Sequence, residues 1–373
     1  MNQTYHAIGL MSGSSLDGLD IAFCRFEYSG NPKQPIADWE LLISETVPLK
    51  ETWITRLSKL PEQQALTFAK THIYFGHYMA DLVNAFCAKH KVKPDFIASH
   101  GHTIYHYPDK LMTTQIGDGG ALAALTGYTV VSDFRTQDVA LHGEGTPIAP
   151  AADRFLFDGY DFYLNIGGIA NITAVHPNNT IAFDIAPANQ ILNRLANQVE
   201  QAYDHNGDIA SKGKIDPDLL MLLNENPYFR KPYPKSLDNQ QIVQEVFPFY
   251  QESEASVEDK LHTACQHMGQ QTARSINQII QREKLNKKTY RMLVTGGGAL
   301  NFFLMKCIQE HCEKEIDLTI ELPDLETIQF KEAILMGLMG LLRLKQIPNC
   351  FASVTGGRRD TVGGAVYLGM KRK

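Results

Sequence analysis

Residues 6–26 read HAIGLMSGSSLDGLDIAFCRF and contain the first clear structural pattern of the chain. Two apolar runs, His6–Met11 and Leu19–Phe26, flank a turn rich in Gly, Ser and Asp. Apolar runs bounded by turn residues predict β-strands, so the stretch predicts a hairpin with a polar loop. A third predicted strand, Trp39–Val47, is followed by apolar residues at helical spacing over Gln63–His90. The chain therefore begins with the order β-β-β-α.

The same order returns in the second half of the chain. Strand-like runs at Phe162–Ile166, Ile169–Val175 and Thr180–Ile185 precede a predicted helix that begins at Asn189. Further predicted elements are Phe96–Ser99, Gly119–Leu125, Thr129–Ser132, Val257–Lys284, Met292–Thr295, Ala299–Cys312 and Thr327–Leu344. The alternation of strands and helices predicts an α/β protein, and the two β-β-β-α series predict a duplicated architecture.

The length of 373 residues predicts two domains. We place the first at residues 1–155 and the second at residues 156–373. The segment near 206–250 is rich in Asp, Asn, Pro and Lys and shows no clear period, which predicts an irregular insertion in the second domain.

Composition excludes several functional classes. With 35 basic and 41 acidic residues the net charge is -6, so the chain lacks the basic surface that nucleic acid binding requires. The six cysteines include no CxxC pair, which argues against a disulfide framework and a thiolate metal site. The sequence begins without a basic segment followed by an apolar core, and the longest apolar stretch, 333–342, is too short to cross a bilayer. We expect a cytoplasmic protein with no membrane partner.

The first glycine-rich loop lies inside the predicted hairpin. Its glycines and hydroxyls offer backbone and side-chain donors to an anion, and its two aspartates suit a divalent cation that accompanies phosphates. A plain hairpin turn explains the same composition equally well. The candidate nucleotide-binding residues are Gly13, Ser14, Ser15, Leu16, Asp17, Gly18, Leu19 and Asp20.

Two further glycine runs follow predicted strands. Gly167 and Gly168 repeat the strand, glycine turn and strand pattern, and two such loops can clamp the phosphates of one nucleotide. Gly296, Gly297 and Gly298 end a buried strand and open a helix, where bare backbone lets a planar or anionic group approach. Three consecutive glycines exceed what a tight turn requires, so nucleotide binding is favoured.

Six ordered motifs carry a resemblance to a known family. They are MSGSSLDGLD (11–20), SHGHTIYH (99–106), SDFRTQDVA (132–140), LNIGGIANIT (164–173), FDIAPAN (183–189) and VTGGGALN (294–301). In this order they resemble the anhydro-N-acetylmuramic acid kinase family, a branch of the actin, sugar kinase and Hsp70 ATPase superfamily.

The resemblance implies a fold and an activity. The fold would be two ribonuclease-H-like domains, with ATP and Mg²⁺ in the cleft between them. The activity would be a cytoplasmic sugar kinase that opens a 1,6-anhydro ring with water and phosphorylates O6, giving N-acetylmuramic acid 6-phosphate in cell-wall recycling. A homodimer is compatible with this interpretation.

A general base is needed to deprotonate the attacking water. Asp133 matches the Asp-Phe-Arg signature and follows a predicted strand, where ligand sites of α/β proteins form. A loop-capping role is the alternative. Glu144, a carboxylate in the same loop, is the next candidate.

The resemblance also assigns residues to the sugar and to the metal. Thr103, Arg135 and Glu332 are candidates for substrate binding, although an ion pair of Arg135 with Asp138 would also shape this loop. For Glu332, the helix dipole alone also explains an acidic residue early in a helix. Asp184 suits an outer-shell Mg²⁺ ligand, and a capping role explains it nearly as well.

The chain departs from the family pattern mainly on the expected sugar side. The departures are at His102, His142, Glu144, Ile185 and Asp238–Gln240. Since the nucleotide glycines are intact, the sequence predicts kinase chemistry more firmly than the identity of the sugar.

Two other functions remain open at the level of sequence. One is a divergent ATP-binding sugar kinase or sensor of the same fold with another ligand. The other is a metal-dependent hydrolase, because His100 and His102 lie two residues apart near a strand end and imidazoles so placed can share a metal.

Overall fold

The computed structural model describes residues 2–13, 16–176, 179–237 and 241–370. The chain forms two compact units, the first made of Met1–Asp158 and Phe330–Lys373 and the second of Gly159–Gln329. The predicted domain 156–373 therefore differs from the second unit, because its last part belongs to the first unit.

The amino-terminal part of the first unit contains the predicted hairpin and the long helix. Its elements are β1 (Gln3–Ser12), β2 (Gly18–Tyr28), β3 (Ile36–Pro48), α1 (Glu51–Lys59), α2 (Ala65–His90), β4 (Phe96–Tyr107), β5 (Met112–Ile116), α3 (Gly119–Thr126), β6 (Thr129–Ser132), α4 (Thr136–Ala140) and α5 (Pro150–Phe155).

The second unit repeats the order of three strands followed by a helix. Its elements are β7 (Phe162–Ile166), β8 (Ile169–His176), β9 (Asn179–Pro187), α6 (Asn189–Ala196), α7 (Pro217–Glu225), α8 (Pro227–Arg230), α9 (Phe247–Glu252), α10 (Val257–Arg282), β10 (Tyr290–Thr295), α11 (Phe302–Glu313) and β11 (Leu318–Glu321). The chain continues through α12 (Leu325–Leu344), α13 (Ala352–Thr355) and β12 (Ala365–Tyr367).

Both units have the same central strand order. In the first unit the order is β3-β2-β1-β4-β6, with β12 beside β6 and β5 beside β4. In the second unit the order is β9-β8-β7-β10-β11. In each, the first three strands pair antiparallel, and the next two run parallel to the first strand. The duplication predicted from the sequence is thus a repeated topology.

Helix α12 joins the first unit through small residues. A Cβ atom on Gly9 of β1 would lie 1.8 Å from the carbonyl oxygen of Ala333. One on Gly340 would lie 2.6 Å from the Cβ of Ala98 in β4. The glycines let helix and sheet backbones approach closely. Strand β12 adds to the same unit because it pairs antiparallel with β6.

The predicted irregular insertion near 206–250 is more ordered than its sequence indicates. It contains α7, α8, a π-helix at Ile242–Val246 and α9. Leu219, Leu223 and Phe229 are buried in the apolar core of the second unit. The apolar periodicity of these helices was not recognised in the sequence, because each helix is short and the segment is rich in turn residues.

Within the described residues, no helix has both the length and the apolar character needed to cross a membrane.

Candidate active site

The first glycine-rich loop connects β1 to β2, as predicted. Ser14 and Ser15 lie outside the described residues. Leu16 adopts a positive φ of 61°, and its N–H donates to the carbonyl of Gly13. Gly18 is required by packing, because a Cβ atom there would lie 2.6 Å from Thr46. The described residues on either side of the loop lead into the antiparallel pairing of β1 with β2.

Two carboxylates accompany this loop. Asp17 is exposed, and Asp20 pairs in register with Met11 at the start of β2. Partial burial raises the pKa of Asp20, the hydroxyl of Thr46 opposes the rise by donating at 2.6 Å, and the charge of Asp17 adds to it. A cation would relieve the repulsion between the two carboxylates, so the predicted pairing with a divalent ion fits these residues. Leu19, the remaining predicted residue, is buried in the core.

The carboxyl end of β6, beside the middle of β4, forms the second part of the candidate site in the first unit. Asp133 follows β6 directly, is exposed and has a positive φ of 59°. Such a conformation is unfavourable for a residue other than glycine and is concentrated at functional sites. One carboxylate oxygen accepts from the N–H of Thr136 at 3.2 Å, so the predicted capping role is also present.

Arg135 and Glu332 interact electrostatically beside this strand end. Burial lowers the pKa of Arg135, and the charge of Glu332 opposes that effect. Desolvation by the surrounding protein raises the pKa of Glu332, although part of its side chain is exposed, and the charge of Arg135 acts in the opposite direction. Because α12 begins at Leu325, Glu332 lies too far inside the helix for the dipole explanation.

The alternative ion pair of Arg135 with Asp138 does not form. Asp138 is fully buried and accepts hydrogen bonds from the N–H of Gly145 at 2.8 Å and from the hydroxyl of Thr355 at 2.7 Å. These bonds satisfy its carboxylate, so Asp138 fixes the 142–146 loop without the guanidinium.

Several predicted sugar-side residues are placed along β4 and the following loops. Thr103 is half-buried and accepts from the amide of Gln115 at 3.4 Å. His102 is buried, and its Nδ1 lies 3.2 Å from the hydroxyl of Ser12, at the end of β1. Glu144 and His142 are exposed. His102 is therefore linked to the first glycine-rich loop.

The remaining departures from the family pattern do not lie along β4 and its following loops. Ile185 is a buried core residue of the second unit, and Asp238–Gln240 lie outside the described residues.

The second unit brings its two glycine runs together. The carbonyls of Gly167 and Gly168 accept from the first N–H groups of the α6 segment, including that of Asn189 at 3.1 Å. A Cβ atom on Gly296 would lie 2.6 Å from the carbonyl oxygen of Ile166. The β7–β8 turn, the start of α6 and the 296–298 turn are thus neighbours.

The three glycines after β10 have different roles. Gly296 has a positive φ of 84°, and a Cβ atom on Gly298 would lie 2.2 Å from the side chain of Ile166. At Gly297 the nearest atom to a Cβ would be the Asn189 side-chain nitrogen at 3.8 Å. Folding therefore requires Gly296 and Gly298, whereas Gly297 leaves exposed backbone that the fold does not need.

A cavity of about 390 Å³ opens on this turn. Its wall includes Asn189, Tyr203, Asn206, Gly297 and Asn301. An aromatic ring, amides and bare backbone suit a planar polar ligand, which is the chemistry predicted for the glycine run. The residues from 203 to 206 carried no motif, because they lie just before and at the start of the segment near 206–250 that was interpreted as irregular.

Asp184 lies within β9, opposite Asn171, and inside the predicted strand Thr180–Ile185. Its Oδ2 accepts from the hydroxyl of Ser236 at 3.0 Å and from the N–H of Leu237 at 2.9 Å. Burial raises its pKa, and these two hydrogen bonds and the charge of Lys235 oppose the rise. The carboxylate is therefore fixed in orientation and partly desolvated.

Lys235, which was not predicted as a site residue, lies beside Asp184. Its amine lies 4.7 Å from the ring centre of Tyr228, whose hydroxyl donates to the backbone carbonyl of Asp184. Burial and the charge of Arg274 lower the pKa of Lys235 to about 8, while Asp184 acts in the opposite direction. No motif marked this lysine.

The predicted histidine metal pair has different surroundings from those of a metal site. His102 Nδ1 is engaged with Ser12, and His100 Nδ1 lies 3.1 Å from the carbonyl of Gly101. In the part of the chain that the structure describes, no group of three or more His, Cys, Asp or Glu residues is placed to hold a metal ion.

Two α/β units with one strand order, and glycine turns at the strand ends, define the ribonuclease-H-like class of two-domain proteins. This confirms the predicted fold class. The model of one family, described as anhydro-N-acetylmuramic acid kinase, matches residues 5–369. The chain belongs to that family, as its motifs predicted.

Curated relatives match almost the whole chain. The anhydro-N-acetylmuramic acid kinase of Francisella tularensis subsp. novicida is 32% identical over 391 residues, covering 98% of this chain and 99% of the relative. That of Shewanella amazonensis is 33% identical and covers 96% and 98%. A solved structure of the activator of 2-hydroxyisocaproyl-CoA dehydratase from Clostridium difficile, with bound ADPNP, is 13% identical, with a TM-score of 0.37 over 93% of this chain and 96% of that one.

Proposed function

We propose that this protein uses ATP to phosphorylate 1,6-anhydro-N-acetylmuramic acid at O6 while water opens the anhydro ring. The observation that carries the proposal is family membership over residues 5–369, together with relatives of that name that match end to end. It favours a kinase over the metal-dependent hydrolase.

The chemistry balances as a coupled displacement. Water oxygen bonds to C1 as a carboxylate takes its proton, and the C1–O6 bond breaks. O6 bonds to the γ-phosphorus, and the bond to the ADP oxygen breaks. Such a reaction needs a base for water and stabilisation of the charge on the phosphoryl group.

Asp184 has the properties of the base. It is partly desolvated and has a raised pKa, and two hydrogen bonds to Oδ2 orient it, which leaves Oδ1 available. Lys235 favours its ionised form. Asp133, the base predicted from the sequence, is exposed and strained, and it remains the competing candidate.

For ATP, support comes from the second unit. Gly297 presents backbone that no packing contact explains, on a cavity large enough for a nucleoside. For Mg²⁺, which would neutralise charge on the phosphoryl oxygens, Asp17 and Asp20 are candidate ligands on the grounds of their mutual repulsion.

The test is ADP release by purified protein with ATP and Mg²⁺ in the presence of different sugars. We expect release with the 1,6-anhydro sugar and little with N-acetylmuramic acid or N-acetylglucosamine. Release with another amino sugar alone would indicate the divergent-kinase alternative. ATP binding without turnover on any sugar would indicate a sensor.

A further inference from the structure

The register of two parallel strands places His100 beside Asp133 in the first unit. Ser99 of β4 pairs with Ser132 of β6, and both strands then leave the paired region in the same direction. Arg135 follows two residues after Asp133. His100, inside β4, and Arg135, just after β6, therefore lie near one another, and the charge of Arg135 acts on the imidazole.

Both groups contain a buried polar atom without a hydrogen bond. His100 Nε2 and Arg135 Nε have no partner within the described residues. His100 is 4% exposed, so its ring is shielded from bulk solvent. An unsatisfied buried polar atom destabilises a fold by about 1–3 kcal/mol, and two in one place call for a physical explanation.

The hydrogen-bond role of each atom can be assigned. A carbonyl oxygen only accepts, so Nδ1 of His100 carries the hydrogen that it donates to Gly101 at 3.1 Å. Burial and the charge of Arg135 lower the pKa of His100 to about 3, so the ring is neutral near pH 7. Nε2 is therefore an acceptor, whereas Arg135 Nε is a donor.

This pair of roles selects a ligand group. A hydroxyl or a secondary amide can donate to Nε2 and accept from the guanidinium at once. A carboxylate or phosphate would set a lone pair against that of Nε2. Glu332 already supplies a negative charge near Arg135, so the ligand need not be anionic.

We propose that His100 Nε2 and Arg135 Nε together bind one neutral group of the sugar, either its free hydroxyl or its acetamido group. The inference rests on the proposed function and adds His100 to the residues predicted to bind substrate. His100 acts here as a specificity residue rather than as a metal ligand.

The test compares wild type with His100→Asn and His100→Gln. Asn keeps the polar atom near Nδ1 and removes Nε2, whereas Gln extends an amide toward the Nε2 position. We expect His100→Asn to raise KM for the anhydro sugar about tenfold, the size of one lost hydrogen bond to a ligand, with KM for ATP unchanged. His100→Gln should recover part of the loss.

Substrate analogues identify the group. One analogue lacks the 4-hydroxyl, a second lacks the acetamido group and a third lacks the lactyl carboxylate. Wild type and His100→Asn should have equal KM on the analogue that lacks the recognised group. The tenfold difference should persist on the analogue without the carboxylate.

Three results would overturn the inference. The first is a KM in His100→Asn equal to that of wild type. The second is a tenfold KM difference between wild type and His100→Asn that persists on all three analogues. The third is a KM difference that disappears only on the analogue without the lactyl carboxylate. The first would mean that buried water alone satisfies the two atoms. If wild type turns over no sugar, the proposed function itself fails and this inference with it, which separates that outcome from the others.

Discussion

The two units share one strand order but carry different chemistry at their strand ends. In the first unit the β1–β2 loop carries Asp17 and Asp20, and β6 is followed by Asp133. In the second unit the β7–β8 loop carries Gly167 and Gly168, and the turn after β10 presents bare backbone. A repeated fold has therefore been specialised, with charged side chains in one copy and open backbone in the other.

In each unit, the residues that stabilise the fold can be distinguished from the residues that are available to bind a ligand. In the first unit, ionisable groups are buried both in the core and at the strand ends. In the second unit, packing requires Gly296 and Gly298, whereas Gly297 leaves exposed backbone on the cavity. Substitutions can therefore test each unit on its own.

The largest expected effect on stability comes from Lys331→Met in the first unit. Lys331 Nζ lies 2.7 Å from Asp153, and both side chains are less than one-tenth exposed. Removing the lysine leaves a buried carboxylate without its partner, so the free energy of unfolding should fall by about 3–5 kcal/mol. Urea unfolding measures the loss, and hydrogen exchange should assign it to the first unit.

The matched control lies in the second unit. Lys306 and Glu310 form an exposed pair one helical turn apart on α11, with 3.8 Å between the charged atoms. Lys306→Met should change stability by less than about 0.5 kcal/mol. Equal losses in the two variants would contradict the contrast between buried and exposed pairs.

The largest expected effect on activity comes from Asp184→Asn. The amide keeps the size of the side chain and removes its basicity, so turnover should fall by about 10²-fold or more while ATP still binds. Steady-state kinetics with the anhydro sugar measure it. A larger loss in Asp133→Asn, with Asp184→Asn near wild type, would return the base role to the first unit.

A smaller effect is expected from Gly297→Ala. A Cβ atom there has open space in the protein, so the variant should unfold like wild type but bind ATP about tenfold more weakly by calorimetry. Gly298→Ala, which collides with Ile166, should instead lower stability by about 1–3 kcal/mol. Unaltered ATP affinity in Gly297→Ala would remove the proposed nucleotide cavity.

The smallest effect is a shift in pH dependence. A base works when ionised, so activity falls as pH drops through its pKa, and the raised pKa of Asp184 places this fall above the usual aspartate range. Lys235 lowers that pKa, so Lys235→Met should move the acid limb of kcat/KM to higher pH. An unmoved limb would show that Asp184 does not control it.

Much of the fold was predictable because periodicity and turn residues mark long elements well. Strands at Thr129–Ser132 and Phe162–Ile166 were predicted with their observed bounds. The membership of α12 in the first unit could not be predicted, because it depends on the contact of Gly9 with a helix more than 300 residues away in sequence. Local pattern contains no information on such a contact.

The candidate site was predictable where a motif carries it, as in the glycine runs. Lys235, Tyr203 and the buried Nε2 of His100 were not predicted as parts of it. Their roles depend on burial and on partners distant in sequence, which only the folded chain displays. The different tasks of Gly296, Gly297 and Gly298 likewise follow from the position of Ile166.

The proposed reaction is tested by the mass of the product formed from 1,6-anhydro-N-acetylmuramic acid, ATP and Mg²⁺. We predict one ADP per product and a sugar that has gained both a phosphoryl group and the elements of water. A phosphorylated sugar that keeps its anhydro ring, or no phosphorylated sugar at all, would contradict the proposed reaction.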